Sequence, residues 1–352
     1  MAKRIVICAD GTWNSPEEKH VTNVVKIARA VHTRDGEGVE QVVFYDWGVG
    51  TFDTSDRIMG GAFGNGINRN IQDAYRFLSH NYRRGDDIFC FGFSRGAYTV
   101  RSLVGLIRNA GVLRKEHADQ VKAAYKLYRS PETPDSARSR EFRDAYAREV
   151  DIEFLGVFDT VGALGIPLGV SSRHNERKYG FHDTRITSIV NNAHHALAID
   201  EKRRPFKPTL WTCDEARRNT SQVWFAGVHA DIGGGYAEAG LSDEALEWMA
   251  DRAESCGLAL DRPYLRSIAD RSAAKLHESY TGAYKAQEPH IRPIGKTNHD
   301  EALHPSVGRR REQHDRYRPE NLEVHLGNEA PGSRRKRKRR SRRRTGRGRV
   351  RG

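Results

Sequence analysis

Residues 4–9 (RIVICA), 41–45 (QVVFY) and 87–93 (DIFCFGF) are short apolar runs rich in β-branched and aromatic residues. Between and after them, apolar residues recur at helical spacing: Val21, Val24, Val25, Ala28 and Val31; then Ile67, Ile71, Ala74, Tyr75, Leu78 and Tyr82; then Ala97, Val100, Leu103, Val104 and Ile107. Unbroken apolar strands are buried on both faces, and strands joined through helices run parallel. The alternation therefore predicts β-α-β-α-β-α, a mostly parallel sheet with helices on both faces. Thr22 or Asn23 is the expected cap of the first helix.

Further strands are expected at 152–158 (IEFLGVF) and 223–228 (VWFAGV). Residues 117–149 read as helical, broken by the loop SPETPDS at 130–136, and another helix is expected at about 243–253. Residues 165–215 are rich in charge, glycine and proline, and read as a lid-like insertion. Residues 1–327 are taken as one domain, and 328–352 as a disordered polybasic tail.

The charge is unevenly placed. The formal net charge is +13, and residues 333–352 carry thirteen Arg or Lys and no acid, so 13 − 13 leaves residues 1–332 formally neutral. The tail would attract anionic membranes or nucleic acid; the body has no such bias. Cys8, Cys90, Cys213 and Cys256 form no C-x-x-C pair, which argues against a structural zinc and suits a reducing compartment. Asp10 interrupts the first apolar run too early for a signal peptide, and no run reaches the length of a membrane span. The expectation is a chain made in the cytoplasm, with export by a signal-independent route left open.

Each expected strand ends in a compact polar sequence: Asp10-Gly11-Thr12, Asp46-Trp47-Gly48, Ser94-Arg95-Gly96, Asp159-Thr160 and His229-Ala230-Asp231. In an open parallel sheet, ligands bind outside the carboxyl ends of the strands. Ser94 lies in the G-x-S-x-G pentad Gly92-Phe93-Ser94-Arg95-Gly96, between a strand and a helix, where a nucleophile elbow is built. Asp159 and His229 follow in the chain order Ser, Asp, His. They are the expected acid and base, with Asp231 and Asp200 as rival acids and His195 as rival base. The N–H of Arg95, and those of Gly11 or Thr12, are the expected oxyanion donors, with Asp10 anchoring that turn. Asp10 fits no aspartyl-phosphatase motif, because Cys8 stands where the nucleophilic Asp would be. No cofactor is expected. Metal-dependent hydrolysis through Asp10, Asp46, Asp159, His229 and Asp231 is a rival, as is a non-enzymatic polyanion or membrane binder with a degenerate site.

Seven ordered segments carry a family resemblance: GTWN (11–14), YDWGVGT (45–51), GAFGNGINRNI (61–71), GFSRGAYTVRSLVGLI (92–107), GVFDTVGALG (156–165), HALAIDE (195–201) and VWFAGVHADIGGGY (223–236). Over roughly residues 3–325 the chain resembles the α/β-hydrolase domain of type VI secretion phospholipase effectors, formerly a bacterial and fungal domain of unknown function. The resemblance implies a serine hydrolase acting on phospholipid or other acyl esters. On that reading Ser94 is the nucleophile, and Asp159 and His229 are the matching acid and base.

Overall fold

The computed structural model describes residues 2–11, 17–48, 62–162, 186–212, 219–269, 274–295 and 301–327. Its elements, in chain order, are β1 Arg4–Ala9, α1 Asn23–Ala30, β2 Gln41–Asp46, α2 Ala62–Asn81, β3 Asp87–Phe93, α3 Arg95–Ala110, β4 Val112–Leu113, α4 Val121–Tyr128, α5 Ala137–Tyr146, β5 Ala147–Arg148, β6 Ile152–Phe158, β7 Val190–Ala198, β8 Thr220–Phe225, α6 His229–Gly233, α7 Gly240–Ser255, α8 Arg262–Ile268, β9 Glu301–Leu303, α9 Pro305–Gln313 and α10 Glu320–His325.

β2, β1, β3, β6, β7, β8 and β9 lie side by side in that order in one seven-stranded sheet, every neighbouring pair parallel. Alternate residues of β1 face opposite layers. Ile5 and Ile7 pack with α2, α3 and α4, while Val6 and Cys8 pack with α1, α7 and α8. The expected helices form as their stripes require: Ile67, Ile71, Ala74, Tyr75 and Leu78 of α2 are buried. α1 starts where Thr22 caps it, its hydroxyl accepting from Val25 N–H at 3.3 Å.

The expectation of an insertion over 165–215 is corrected at one element, while the described residues 199–212 carry only a short 3-10 turn and isolated bridges. Residues 190–198 are β7, a central strand between β6 and β8. Its polar residues find partners that make burial tolerable: Asn192 Nδ2 donates to the Glu153 carbonyl at 2.9 Å, and His194 Nδ1 lies 2.8 Å from Ser221 Oγ. Residues 163–185 and 213–218 of that region, Cys213 among them, lie outside the described residues, as do Thr12 and the tail 328–352. β8 begins three residues earlier than the apolar run suggested and ends at Phe225. Beyond it Gly227 takes φ +132, a turn that a side chain would resist. Among the described residues, no helix is long and apolar enough to cross a membrane.

The register aligns the carboxyl ends of the strands. Ala9 pairs with Gly92, Phe93 with Phe158, and Phe158 with Ala196. Asp10, Ser94 and Asp159 are the next residues out from these pairs, so three of the polar strand ends stand in a row along one edge.

Candidate active site

β3 passes into α3 without a loop, and Ser94 makes the turn alone. Its φ of 58° and ψ of −119° lie where a non-glycine residue is strained. Two glycines make room. A Cβ on Gly92 would stand 2.6 Å from Ala97 Cα, and one on Gly96 would stand 2.0 Å from the Ala9 carbonyl oxygen. Helix and neighbouring strand thus touch backbone to backbone, and the turn holds the hydroxyl at the sheet edge. Ser94 N–H donates to the Phe158 carbonyl at 3.0 Å, which ties the elbow to the end of β6.

The next residue along β6 is Asp159, also at positive φ (38°). It and Ser94 are the described non-glycine residues with positive φ. One hydrogen-bonded chain joins them through His229 at the start of α6. His229 Nε2 lies 2.8 Å from Ser94 Oγ, and its Nδ1 lies 2.6 Å from Asp159 Oδ2. All three residues are buried. An ionised Asp159 only accepts, so Nδ1 carries the proton and Nε2 is left to accept from the serine hydroxyl. The imidazole lies between two rings, Phe93 at 4.7 Å and Phe206 at 4.8 Å between centroids.

Burial alone would raise the Asp159 carboxyl, but the Arg292 charge and the bond to His229 outweigh it and hold the group well below the ordinary carboxylate range. Arg292 grips both oxygens, Nη1 to Oδ1 at 2.7 Å and Nη2 to Oδ2 at 3.0 Å. Ala198 N–H adds a bond to Oδ1 at 3.1 Å. Burial lowers the His229 pKa against the opposing pull of Asp159. A second carboxylate supports the backbone of this histidine: Glu201 Oε2 accepts from His229 N–H at 3.2 Å and from the Ser279 hydroxyl at 2.9 Å. Burial would raise Glu201 too, but the two-pronged Arg203 pair brings it down to about 2.

Arg292 and Glu201 escaped the sequence reading. Glu201 closes the segment HALAIDE, where Asp200 drew attention instead. Arg292 lies in a stretch with no clear period, and no local signal marks a contact 133 residues away along the chain.

The other expected site residues divide clearly. Asp10 anchors its turn as expected, accepting from Gly11 N–H at 2.7 Å, the Thr22 hydroxyl at 2.5 Å and the Tyr45 hydroxyl at 2.9 Å. The Gly11 N–H is therefore directed at Asp10 and away from a ligand, which corrects its expected role as oxyanion donor. Arg95 opens α3, so its N–H lies at the start of the helix, next to Ser94. Its guanidinium pKa is lowered by burial to about 10.

Asp46 receives the Gly48 N–H at 3.3 Å, and burial raises it to about 6. Asp200 and Asp231 are not joined to His229. Asp200 accepts from Gly227 N–H at 2.8 Å and the Tyr317 hydroxyl at 2.9 Å, and Asp231 accepts from Val228 N–H at 3.0 Å and binds His277. His195, the rival base, is a fully buried side chain whose Nε2 accepts from Thr160 N–H at 3.0 Å; burial lowers it to about 3, which keeps it neutral. Among the described residues, no group of three or more His, Cys, Asp or Glu converges as a metal site.

A parallel sheet flanked by helices on both faces, with a serine elbow after a central strand, defines the α/β-hydrolase fold. The family model "T6SS, Phospholipase effector Tle1-like, catalytic domain" matches residues 3–252, and the chain belongs to that family. A curated relative, the Saccharomyces cerevisiae "Uncharacterized protein YEL023C", is 30% identical over 234 residues, which is 60% of this chain and 33% of the yeast protein. The chain thus spans about a third of that relative's length.

Solved structures resemble it more distantly. An uncharacterized protein from Pseudomonas aeruginosa aligns with 75% of this chain and 47% of its own, at 19% identity and TM-score 0.48. The Tle1 effector bound to the VgrG spike of the type 6 secretion system aligns with 67% of this chain and 52% of its own, at 19% identity and TM-score 0.40. An esterase from Thermogutta terrifontis, Est2, aligns with 73% and 83%, at 15% identity and TM-score 0.39.

Proposed function

We propose that the chain is a serine esterase acting on acyl esters of phospholipids, with Ser94 as nucleophile, His229 as base and Asp159 as the acid that orients it. The observation that carries this reading is the unbroken chain from Ser94 Oγ through the two ring nitrogens of His229 to Asp159, at 2.8 and 2.6 Å. A turn serine needs neither the strained backbone nor an imidazole on its hydroxyl. Phospholipid as the substrate class rests on family membership.

The reaction follows from the protonation states. Ser94 Oγ attacks the ester carbonyl while Nε2 of His229 takes its proton. Asp159 holds the resulting imidazolium. The oxyanion is met by the Arg95 N–H at the head of α3; Asp10 has claimed the Gly11 N–H, and Thr12, the other expected donor, lies outside the described residues. His229 then gives its proton to the leaving alcohol, and a water repeats the cycle to release the fatty acid.

A fluorophosphonate probe tests the reading, since only an activated serine displaces its fluoride. Wild type labels with one equivalent and hydrolyses phosphatidylcholine or short acyl esters, whereas Ser94→Ala does neither. Equal labelling or equal hydrolysis in both sinks the assignment. A folded wild type that neither labels nor hydrolyses would favour a binding protein with a degenerate site.

A further inference from the structure

We infer that Arg292 is a positioning residue of this site: its guanidinium fixes both Asp159 oxygens in the plane that His229 needs, and its charge sets the pH below which the site stops working. The inference rests on the esterase reading above, and extends it to a residue outside the 3–252 family match.

The geometry is that of a built support. Both side chains are fully buried, and the pair is two-pronged at 2.7 and 3.0 Å. The guanidinium is itself held from behind. Nη1 also donates to the Ala198 carbonyl at 2.8 Å, and Nη2 to the Phe206 carbonyl at 2.6 Å. These anchors tie it to the end of β7 and to the segment whose Phe206 ring covers His229. Asp159 Oδ1 receives Arg292 and Ala198 N–H; Oδ2 receives Arg292 and His229. A carboxylate so surrounded cannot rotate without breaking several charge-assisted bonds at once. A buried carboxylate without such a partner would take up a proton near neutral pH or draw in water.

The charged and titratable groups around His229 come from every element packed on it. Ser94 lies at the elbow, Asp159 at the end of β6, Glu201 and Arg203 after β7, and Asp231 on its own helix; Arg292 of the 274–295 segment reaches Asp159, whose charge is also felt by the buried, neutral His195 of β7. Glu201 is matched by Arg203 and Asp159 by Arg292, so the histidine titrates beside two compensated pairs. Removing Arg292 leaves one carboxylate uncompensated. Asp159 then protonates at higher pH, and where it stays ionised it makes the imidazolium more stable. Both effects push the acid limb of reactivity upward.

The second-order rate of fluorophosphonate labelling, followed across acid and neutral pH, reads this without knowledge of the natural lipid. In Arg292→Met the plateau rate falls by about tenfold or more, and the acid limb moves up by about one pH unit. In Arg292→Lys the charge remains but the fork is lost, so the limb stays near its wild-type position while the plateau falls. A folded Arg292→Met with a lowered plateau and an unmoved limb would make Arg292 structural only, and overturns the inference. Should Arg292→Met unfold in a thermal melt, Arg292→Gln, which also lacks the charge but can still donate to Asp159, takes its place: an unmoved limb overturns the inference, and a limb raised by about one pH unit supports it. Ser94→Ala, run beside them, separates the two readings. If it labels, the esterase reading itself has failed; if it is silent while both Arg292 variants match wild type, only the role of Arg292 has failed.

Discussion

Among the described residues, two aspartate–histidine pairs have the same length. Asp159 Oδ2 lies 2.6 Å from His229 Nδ1, and Asp231 Oδ1 lies 2.6 Å from His277 Nδ1. Asp231 is on the helix that His229 opens. What differs is the far side of each ring. His229 Nε2 reaches a serine hydroxyl at 2.8 Å, whereas His277 Nε2 faces the Glu238 carboxylate at 3.3 Å, with the Tyr236 ring stacked 3.9 Å away. A base needs a proton to take. The first ring has one, and the second is closed between acceptors. The carboxylates differ as well: Arg292 holds Asp159 low, while burial raises Asp231 despite its bonds to Val228 and His277. An Asp–His pair is thus no signature of catalysis by itself; its surroundings decide.

Removing each imidazole in turn separates the two pairs most strongly. His229→Ala should lower ester turnover by about 10³-fold or more, as should Ser94→Ala, because members of one relay fail together. His277→Ala should leave turnover within about threefold of wild type. It should instead lower the thermal midpoint, since it strips a hydrogen bond from a buried carboxylate, at about 1–3 kcal/mol. Large losses of turnover from both variants would erase the distinction between the pairs.

Asp159→Asn comes next, at about 10³- to 10⁴-fold in kcat, because an amide cannot hold the Nδ1 proton of the required tautomer. Asp231→Asn should cost little activity. The pH profile of the wild type gives a finer test. The base works when neutral, and burial lowers its pKa, so the acid limb of kcat/KM should fall below the ordinary histidine value of about 6.5. An acid limb well above that value would mean that imidazolium stabilisation by Asp159 outweighs burial.

The sequence is most readable where burial is complete and local. β1, β3 and β6 have the bounds expected of them because strands buried on both faces must be continuous apolar runs. The elbow, Asp159 and His229 were legible for a related reason: each is a polar residue directly after such a run. β7 was not legible, because VNNAHHALA alternates polar and small residues whose partners, Glu153, Ser221 and Thr160, come from other strands and loops. Arg292 was not legible either, since a buried guanidinium is explained only by the carboxylate that receives it. Asp231, Asp200 and His195 looked like candidates because they too follow or fill apolar runs; their partners, invisible in one dimension, assign them to loops and core.

The smallest effect is also the most diagnostic of the two carboxylates. Asp159 has a folded pKa below its unfolded value, so its ionisation stabilises the fold above about pH 4, and that contribution is lost as pH falls through the lowered folded value. Asp231 has a folded pKa above its unfolded value, so its contribution is fully present below about pH 4 and is lost as pH rises through the raised value. Replacing either by Asn removes that pH dependence. The stability gap between wild type and Asp231→Asn should therefore narrow as pH rises from about 4 toward neutrality, on top of a loss of about 1 kcal/mol from the weakened α6 cap. The gap for Asp159→Asn should stay flat over that range and close only at more acid pH. Urea midpoints at a few pH values measure both gaps. Parallel curves for the two variants would show that the carboxylates share one electrostatic setting, and the contrast between the pairs would then rest on the ring partners alone.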